Sequence, residues 1–198
     1  MPTVRPASPD ELPRVGATLA VAFAGDPLWS WMASPSARWT DRAADWFTTE
    51  AGIQLRGHGE VLVDDDLRGA ALWSPPDRWK TSPRESVALV GPSLRLFRAR
   101  TPRALRTIGR LETQHPADPP HWYLAILGTD PAHQGHGIGS ALVQAITERC
   151  DADGLPAYLE SSKELNVPFY ARHGFVVREE LTLRAGPPMW LMWREPKG

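Results

Sequence analysis

The most constraining feature of this chain is a strand, a glycine-rich turn, a helix and a second strand that follow one another within residues 121–161. The run Trp122–Leu127 is almost entirely apolar, as is typical of a strand covered on both faces. Glycines alternate through 135–139, and the helical stripe that follows closes near Gly154. The second strand is Ala157–Ser161. Because strands joined through a helix run parallel, the pattern predicts an α/β fold with a parallel pair at the centre of its sheet.

The composition fits one globular domain of residues 1–198. The chain is 42% hydrophobic and 23% charged, which is the balance of a protein with a buried core. Its net charge of −1 provides no global field for nucleic acid or an anionic membrane. The lone Cys150 excludes an internal disulfide, and the longest smooth apolar run, Leu19–Ala24, is too short to span a bilayer. The first residues also lack the apolar core of a signal peptide, so we expect a cytoplasmic protein.

Shorter patterns divide the rest of the chain into helices and strands without a repeat. Ser8 and Glu11 form a capping box ahead of the first helix. Helix signals at 82–114 are interrupted at Gly91-Pro92 and Thr101-Pro102, and the many arginines there are interpreted as a solvated face rather than a nucleic-acid surface. The other predicted elements are a strand at Thr3–Pro6, a helix from about Pro35 to Leu55, an antiparallel hairpin of Glu60–Val63 and Ala70–Trp73, a short helix at Pro168–Arg172, and a closing hairpin of Phe175–Leu183 and Met189–Trp193.

The alternating glycines predict an anion site. Bare backbone N–H groups at the positive end of a helix dipole bind a phosphate or pyrophosphate, although an ordinary flexible turn with helix capping would carry the same residues. Two other phosphate motifs fit poorly. A dinucleotide fingerprint needs a glycine where Ser140 stands, and a P-loop needs Gly-Lys followed by Ser or Thr.

The stretch from His121 to Phe175 carries HWYLAILGTDPAHQGHGIGSAL, LPAYLESS and NVPFYARHGF, and it resembles the GCN5-related N-acetyltransferases (GNAT). The segments TVRPAS, DELPRV, AFAGDP and GPPMWLMWREP are similar to the puromycin N-acetyltransferase subgroup, so the resemblance covers nearly the whole chain. It implies a mixed, V-splayed central sheet flanked by helices, with acetyl-CoA as cosubstrate. The implied parts are an N-terminal part with acceptor-side helices at 1–120, an acetyl-CoA-binding core at 121–175 and a C-terminal hairpin at 176–198.

The resemblance also implies the residues that bind the cofactor. The pantetheine arm would pair with the end of the first core strand, and the pyrophosphate would sit on the glycine turn, where His136 would add charge only when protonated. Asn166 would bond the cofactor, although an asparagine before Val-Pro would equally well cap the short helix. The implied cofactor-binding residues are Leu127, Gly128, Thr129, Gln134, Gly135, His136, Gly137, Ile138, Gly139, Ser140 and Asn166.

Two residues are candidates for proton transfer. The family places its proton donor to the CoA sulfur at the position of Tyr170, which could alternatively be a half-buried core tyrosine. A phenol is a weaker acid than a thiol by roughly 2 kcal/mol, so the transfer must be concerted with C–S cleavage. Glu160 lies inside a short interior strand, where a carboxylate costs desolvation unless it is used. It is either a general base or ammonium ligand, or a partner in a buried ion pair with an arginine.

The N-terminal third would supply the acceptor pocket. Asp26, Trp29 and Trp73 are candidate substrate contacts, with Trp31 and Trp79 as further aromatic walls, although tryptophans also fill ordinary cores. The histidines show no metal-ligand spacing, so no metal is expected.

These expectations point to one function and two alternatives. The predicted function is transfer of an acetyl group from acetyl-CoA to a primary amine of a small molecule by direct attack in a ternary complex. The alternatives are a catalytically silent acyl-CoA sensor and an acetyltransferase for a peptide or protein amine. The oligomeric state is left open.

Overall fold

The protein is built on one seven-stranded sheet in the order β1-β2-β3-β4-β5-β7-β6. The computed structural model describes residues 2–33, 36–57, 59–80 and 82–197. The strands are β1 Val4–Pro6, β2 Glu60–Asp64, β3 Gly69–Ser74, β4 Trp122–Thr129, β5 Ala157–Ser161, β6 Val176–Thr182 and β7 Pro188–Arg194. The helices are α1 Leu12–Ala22, α2 Pro27–Met32, α3 Trp39–Arg56, α4 Pro83–Phe97, α5 Thr101–Gln114, α6 Ile138–Asp153 and α7 Val167–Arg172.

The sheet opens into a V between its two central strands. Strands β4 and β5 run parallel but are paired only at Trp122 with Ala157, Tyr123 with Tyr158, and Leu124 with Leu159. Beyond Leu124, strand β4 continues to pair with β3 as far as Thr129, while β5 turns away. The predicted mixed, splayed sheet with a central parallel pair is therefore confirmed.

Helices cover both faces of the sheet. On one face α1 and α3 bury Leu19, Phe47 and Leu72. On the other face α6 buries its own Leu142 and Ile146 together with Phe175, and all three have almost no exposed surface. No helix in the described ranges is long and apolar enough to cross a membrane.

The helices differ from the sequence prediction in three places. Helix α3 begins at Trp39, and the predicted start, Pro35, lies outside the described residues. Helix α2 was missed, although Asp26 followed by Pro27 is a capping signal. Helix α4 runs through Pro92 without the predicted break. That proline is buried, and its packing offsets the one hydrogen bond that a proline removes.

The closing hairpin forms as predicted, and its second strand lies inside the sheet. Strand β7 pairs antiparallel with β5 from Ala157 opposite Arg194 to Ser161 opposite Trp190, which leaves β6 at the edge. Strand β5 is thus held by β7 on one side and free of β4 over its last residues. This arrangement keeps the V open.

Candidate active site

A cleft with a volume of about 640 Å³ occupies the V between β4 and β5. Its donor end is lined by the last residues of β4 together with Gln134, Asn166 and Tyr170. Its acceptor end runs under α4 and α5. The lining residues at the acceptor end include Trp46, Glu50, Gln54, Trp79, Leu89, Phe97, Ile108, Leu111, Glu112, His115, Tyr123 and Glu160.

A bulge at Ala125 turns the backbone of β4 toward the cleft. Leu124 pairs with Trp73 and Ile126 pairs with Leu72, so Ala125 has no partner on β3. The Trp122 N–H points toward β5, whereas the Asp130 N–H, an even number of residues later, points toward β3. A regular strand would direct both to the same edge, and the extra residue reverses the alternation.

This reversal determines which backbone groups are free at the V. Past the bulge, the N–H and C=O groups of Leu127 and Thr129 face away from β3, toward the edge that β5 has left. The Thr129 carbonyl accepts a hydrogen bond from Gln134 Nε2 at 3.2 Å, consistent with that direction. An extended ligand can therefore pair with β4 as an additional strand would.

The glycine turn holds an open cradle at the start of α6. Gly135 and Gly137 have φ of +80° and +82°, a region that favours glycine. A Cβ would meet nothing within 4 Å at Gly135 and only the Pro2 ring, at 3.7 Å, at Gly137. The first hydrogen bond of the helix runs from Ala141 N–H to the Gly137 carbonyl, so the N–H groups of 138–140 lie outside the helical ladder. These amides form a site suited to an anion.

The side chains of this turn are directed elsewhere. His136 folds back, with Nδ1 donating to the Gln134 carbonyl at 3.0 Å. The Ile138 side chain is buried in the core, and Ser140 Oγ bonds His173 Nε2 at 3.1 Å. Gly139 faces Phe169, which lies 3.5 Å from the position of a Cβ. The turn therefore offers its backbone to a ligand.

Glu160 is hydrogen-bonded to a tyrosine. Its Oε2 accepts from the Tyr123 hydroxyl at 2.7 Å. Burial raises the pKa of Glu160 to about 7, although the hydrogen bond from Tyr123 opposes that rise. Within the described residues Glu160 has no arginine partner, so the alternative of a buried ion pair does not hold there. A carboxyl group that titrates near neutral pH is suited to accept a proton.

Tyr170 is a buried residue of α7 whose ring lines the cleft. Burial raises its pKa above the ordinary phenol value, and the charge of Asp26 adds to the rise. The phenol thus holds its proton firmly at neutral pH. Asn166 precedes α7 and lines the same end of the cleft, and its side chain does not cap the helix, so the capping alternative is wrong.

The three predicted substrate contacts, Asp26, Trp29 and Trp73, lie in different parts of the structure. The Asp26 carboxylate caps α2 by accepting from the N–H of Leu28 at 2.9 Å and of Trp29 at 3.1 Å, and it accepts from Ser162 Oγ at 2.5 Å. Trp29 lines the cleft. Trp73 is fully buried on the opposite face of the sheet, beneath α6, so its assignment to the acceptor pocket is wrong. Alternating side chains along β3 direct it there because Leu72 faces α1 and α3.

Sequence reasoning missed two residues of the acceptor end. Glu50 lies on α3 three positions after Phe47, so an acidic side chain occupies the apolar stripe of that helix. That interruption was the signal that could have revealed it. Tyr123 had no comparable signal, because an aromatic residue in an apolar strand is ordinary. In the described residues no three His, Cys, Asp or Glu side chains form a group that could hold a metal.

The splayed strand, the bulge and the glycine turn agree with the comparison to known families. The family described as acetyltransferase (GNAT) matches residues 31–175. The chain belongs to the GNAT family of acyltransferases. It is 32% identical over 152 residues to an uncharacterized N-acetyltransferase of Schizosaccharomyces pombe; the match covers 70% of this chain and 61% of that protein.

Solved GNAT-type structures share the whole fold. A Corynebacterium glutamicum protein described as histone acetyltransferase HPA2 and related acetyltransferase superposes with a TM-score of 0.74 at 26% identity, covering 100% of this chain and 97% of that one. A polyamine N-acetyltransferase of Drosophila melanogaster, which forms N-acetylagmatine, superposes with a TM-score of 0.65 at 15% identity over 98% and 99% of the two chains. The second likeness concerns the fold alone.

Proposed function

We propose that this GNAT protein transfers the acetyl group of acetyl-CoA to a primary amine of a small molecule. The observation that carries the proposal is one cleft that joins an open backbone edge at Leu127 and Thr129 to the Glu160–Tyr123 pair and to Tyr170. One end suits an extended, anionic donor. The other end supplies groups that can move protons.

The donor end fits acetyl-CoA. The bare amides of 138–140 and the space above Gly135 and Gly137 would hold the pyrophosphate. The free edge of β4 would pair with the pantetheine arm, and its N–H groups would stabilise charge on the thioester oxygen. Acetyl-CoA, when bound, supplies the activated acetyl group that the amine attacks.

The side chains of the V move the protons. Glu160 takes a proton from the substrate ammonium, which frees the nitrogen lone pair for attack on the thioester carbon. As the C–N bond forms and the C–S bond breaks, the nitrogen gives its second proton to solvent and the departing thiolate receives a proton from the Tyr170 hydroxyl. The tyrosinate then regains a proton from solvent and Glu160 returns its proton to solvent, so each turnover releases one proton. Because the pKa of Tyr170 is raised, its transfer must be concerted with C–S cleavage.

The apolar lining of the acceptor end supports a small molecule rather than a protein tail. Leu89 of α4 and Ile108 and Leu111 of α5 line this end of the cleft, together with aromatic side chains. The terminal segments that resemble the puromycin N-acetyltransferases support an amine with a flat or apolar body.

A panel assay tests the proposal. Purified protein is incubated with acetyl-CoA and a set of small amines that includes puromycin, and free CoA thiol and product mass are both measured. Acetylated product with matching thiol release supports the proposal. Tight CoA binding without thiol release for any amine would instead support a silent acyl-CoA sensor.

A further inference from the structure

Glu50 is a second carboxylate at the acceptor end that the proposed chemistry leaves unused. It extends from α3 into the cleft, among lining residues that include Trp46, Gln54 and Trp79. Burial raises its pKa to about 7, with the nearby Glu85 carboxylate adding to the rise. The charge of Glu50 in turn contributes to the raised pKa of Tyr123, which bonds Glu160. Glu50 therefore lies within electrostatic reach of the pair at the V.

Within the described ranges, Glu50 makes no hydrogen bond or ion pair. None of the described basic residues near it forms an ion pair with it, and none of them lowers its pKa. Lys80 lies 5.0 Å from the Trp79 ring centroid, and Arg56 interacts with Glu85. Arg56, Arg78 and Lys80 line a smaller adjoining cavity that Glu50 and Trp79 also border. A desolvated carboxylate without a partner destabilises a fold, and a bound cation would offset that cost.

We propose that Glu50 binds a second, non-reacting ammonium of the acceptor, so that this cleft selects compounds carrying two amines on an apolar body. The inference rests on the proposed function. It divides the two carboxylates by role: Glu160, beside the open edge of β4, serves the nitrogen that is acetylated, and Glu50 holds the nitrogen that stays charged.

The apolar walls of the acceptor end explain why the second charge matters. Leu89, Phe97 and Ile108 cannot replace the hydration that an ammonium loses on entry. A carboxylate in such surroundings gives a charge-assisted hydrogen bond that solvent screens little. A compound with one amine would leave the half-buried Glu50 carboxylate without a partner, so it would bind less tightly.

Two matched amines test the inference. Para-xylylenediamine and para-methylbenzylamine share one ring and one reacting aminomethyl group, and they differ in the second ammonium. We expect the wild type to favour the diamine in kcat/KM by ~10- to 100-fold after the twofold statistical correction. Glu50→Gln keeps the side-chain volume and should remove most of that preference, mainly through a higher KM for the diamine.

Glu112→Gln is the matched control, because Glu112 is an exposed acidic residue that also lines the cleft. It should keep the preference for the diamine. A preference that survives in Glu50→Gln, or an equal loss for both amines, overturns the inference. If no CoA thiol is released with either amine, the proposed function fails for these two compounds. Calorimetric titration of both amines into the CoA-bound protein then tests the inference by itself. Tighter binding of the diamine that is lost in Glu50→Gln supports the role of Glu50, and equal binding of the two amines overturns it.

Discussion

The donor and acceptor ends of the cleft are built in different ways. The donor end uses backbone groups from a nearly continuous stretch, β4 and the glycine turn, and its side chains mostly point away from the site. The acceptor end uses side chains contributed by α3, α4, α5, β4 and β5, which are far apart in the chain. A site of backbone groups is determined locally, whereas a site of side chains depends on how distant elements pack.

The largest effect that tests this contrast is expected from Gly137→Val. A branched residue is strained at a φ of +82°, and its side chain would fill the cradle above the turn. We expect CoA affinity to fall at least ~100-fold, because both the amides and the space for the pyrophosphate are lost. Calorimetric titration of CoA into the variant measures the loss.

Gly154→Val separates strain from the cradle. Gly154 also has a positive φ, +66°, and a Cβ there would meet nothing within 4 Å, but it lies at the C-terminal end of α6. This variant should be destabilised in thermal melting and still bind CoA like the wild type. A folded Gly137→Val protein with wild-type CoA affinity would contradict the backbone cradle.

The next largest effect is expected on kcat, from a change at Tyr170, where the donor and acceptor ends of the cleft meet. Tyr170→Phe removes the proposed donor to the thiolate and should lower kcat by ~100-fold or more with CoA affinity nearly unchanged. Tyr158→Phe is the comparison variant: the Tyr158 hydroxyl helps to lower the pKa of Glu160, so any loss in this variant should disappear at pH 9, whereas the loss in Tyr170→Phe should remain. Equal rates for Tyr170→Phe and wild type would assign Tyr170 to packing.

The fold could be predicted where the determinants are local. The capping box at Ser8, the apolar run of β4 and the helix end at Gly154 are all short-range signals, and each corresponds to an observed element. The insertion of β7 between β5 and β6 had no short-range signal, because strand order depends on long-range pairing. The break expected at Pro92 was wrong for the same reason, since burial there outweighs local propensity.

The site divides in the same way. Leu127, Thr129 and Tyr170 were expected from motifs, and they line the cleft. The bulge at Ala125 was not expected, because an extra residue in an apolar run leaves no mark in the sequence. Trp73 was assigned to the wrong face because a position in the N-terminal third does not show to which side of β3 a side chain points.

The smallest effect tests how β4 tunes the carboxylate on β5. The Tyr123 hydroxyl donates to Glu160, which favours the ionised form, so Tyr123→Phe should raise the pKa of Glu160 further above about 7. In the proposed mechanism the ionised carboxylate is the base, so kcat/KM should rise with pH through this pKa. The rising limb should therefore move to higher pH by about one unit in the variant, with a severalfold loss at pH 7 and little at pH 9. Such a shift would identify Tyr123 as a positioning residue for the proposed base.

Two controls distinguish this role from simple structural damage. Glu160→Gln should lack the rising limb of kcat/KM near pH 7. The limb that reflects deprotonation of the substrate amine should be the same in wild type, Tyr123→Phe and Glu160→Gln.

Thermal stability gives an independent check on the titration of Glu160. The folded pKa of Glu160 lies above its unfolded value of 4.5, so its contribution to stability falls as pH rises from about 4.5 past 7. Glu160→Gln should therefore gain melting temperature relative to wild type between pH 5 and pH 8. An unshifted limb in Tyr123→Phe would mean that the hydrogen bond does not tune the base, and a pH-independent melting difference would mean that Glu160 does not titrate there.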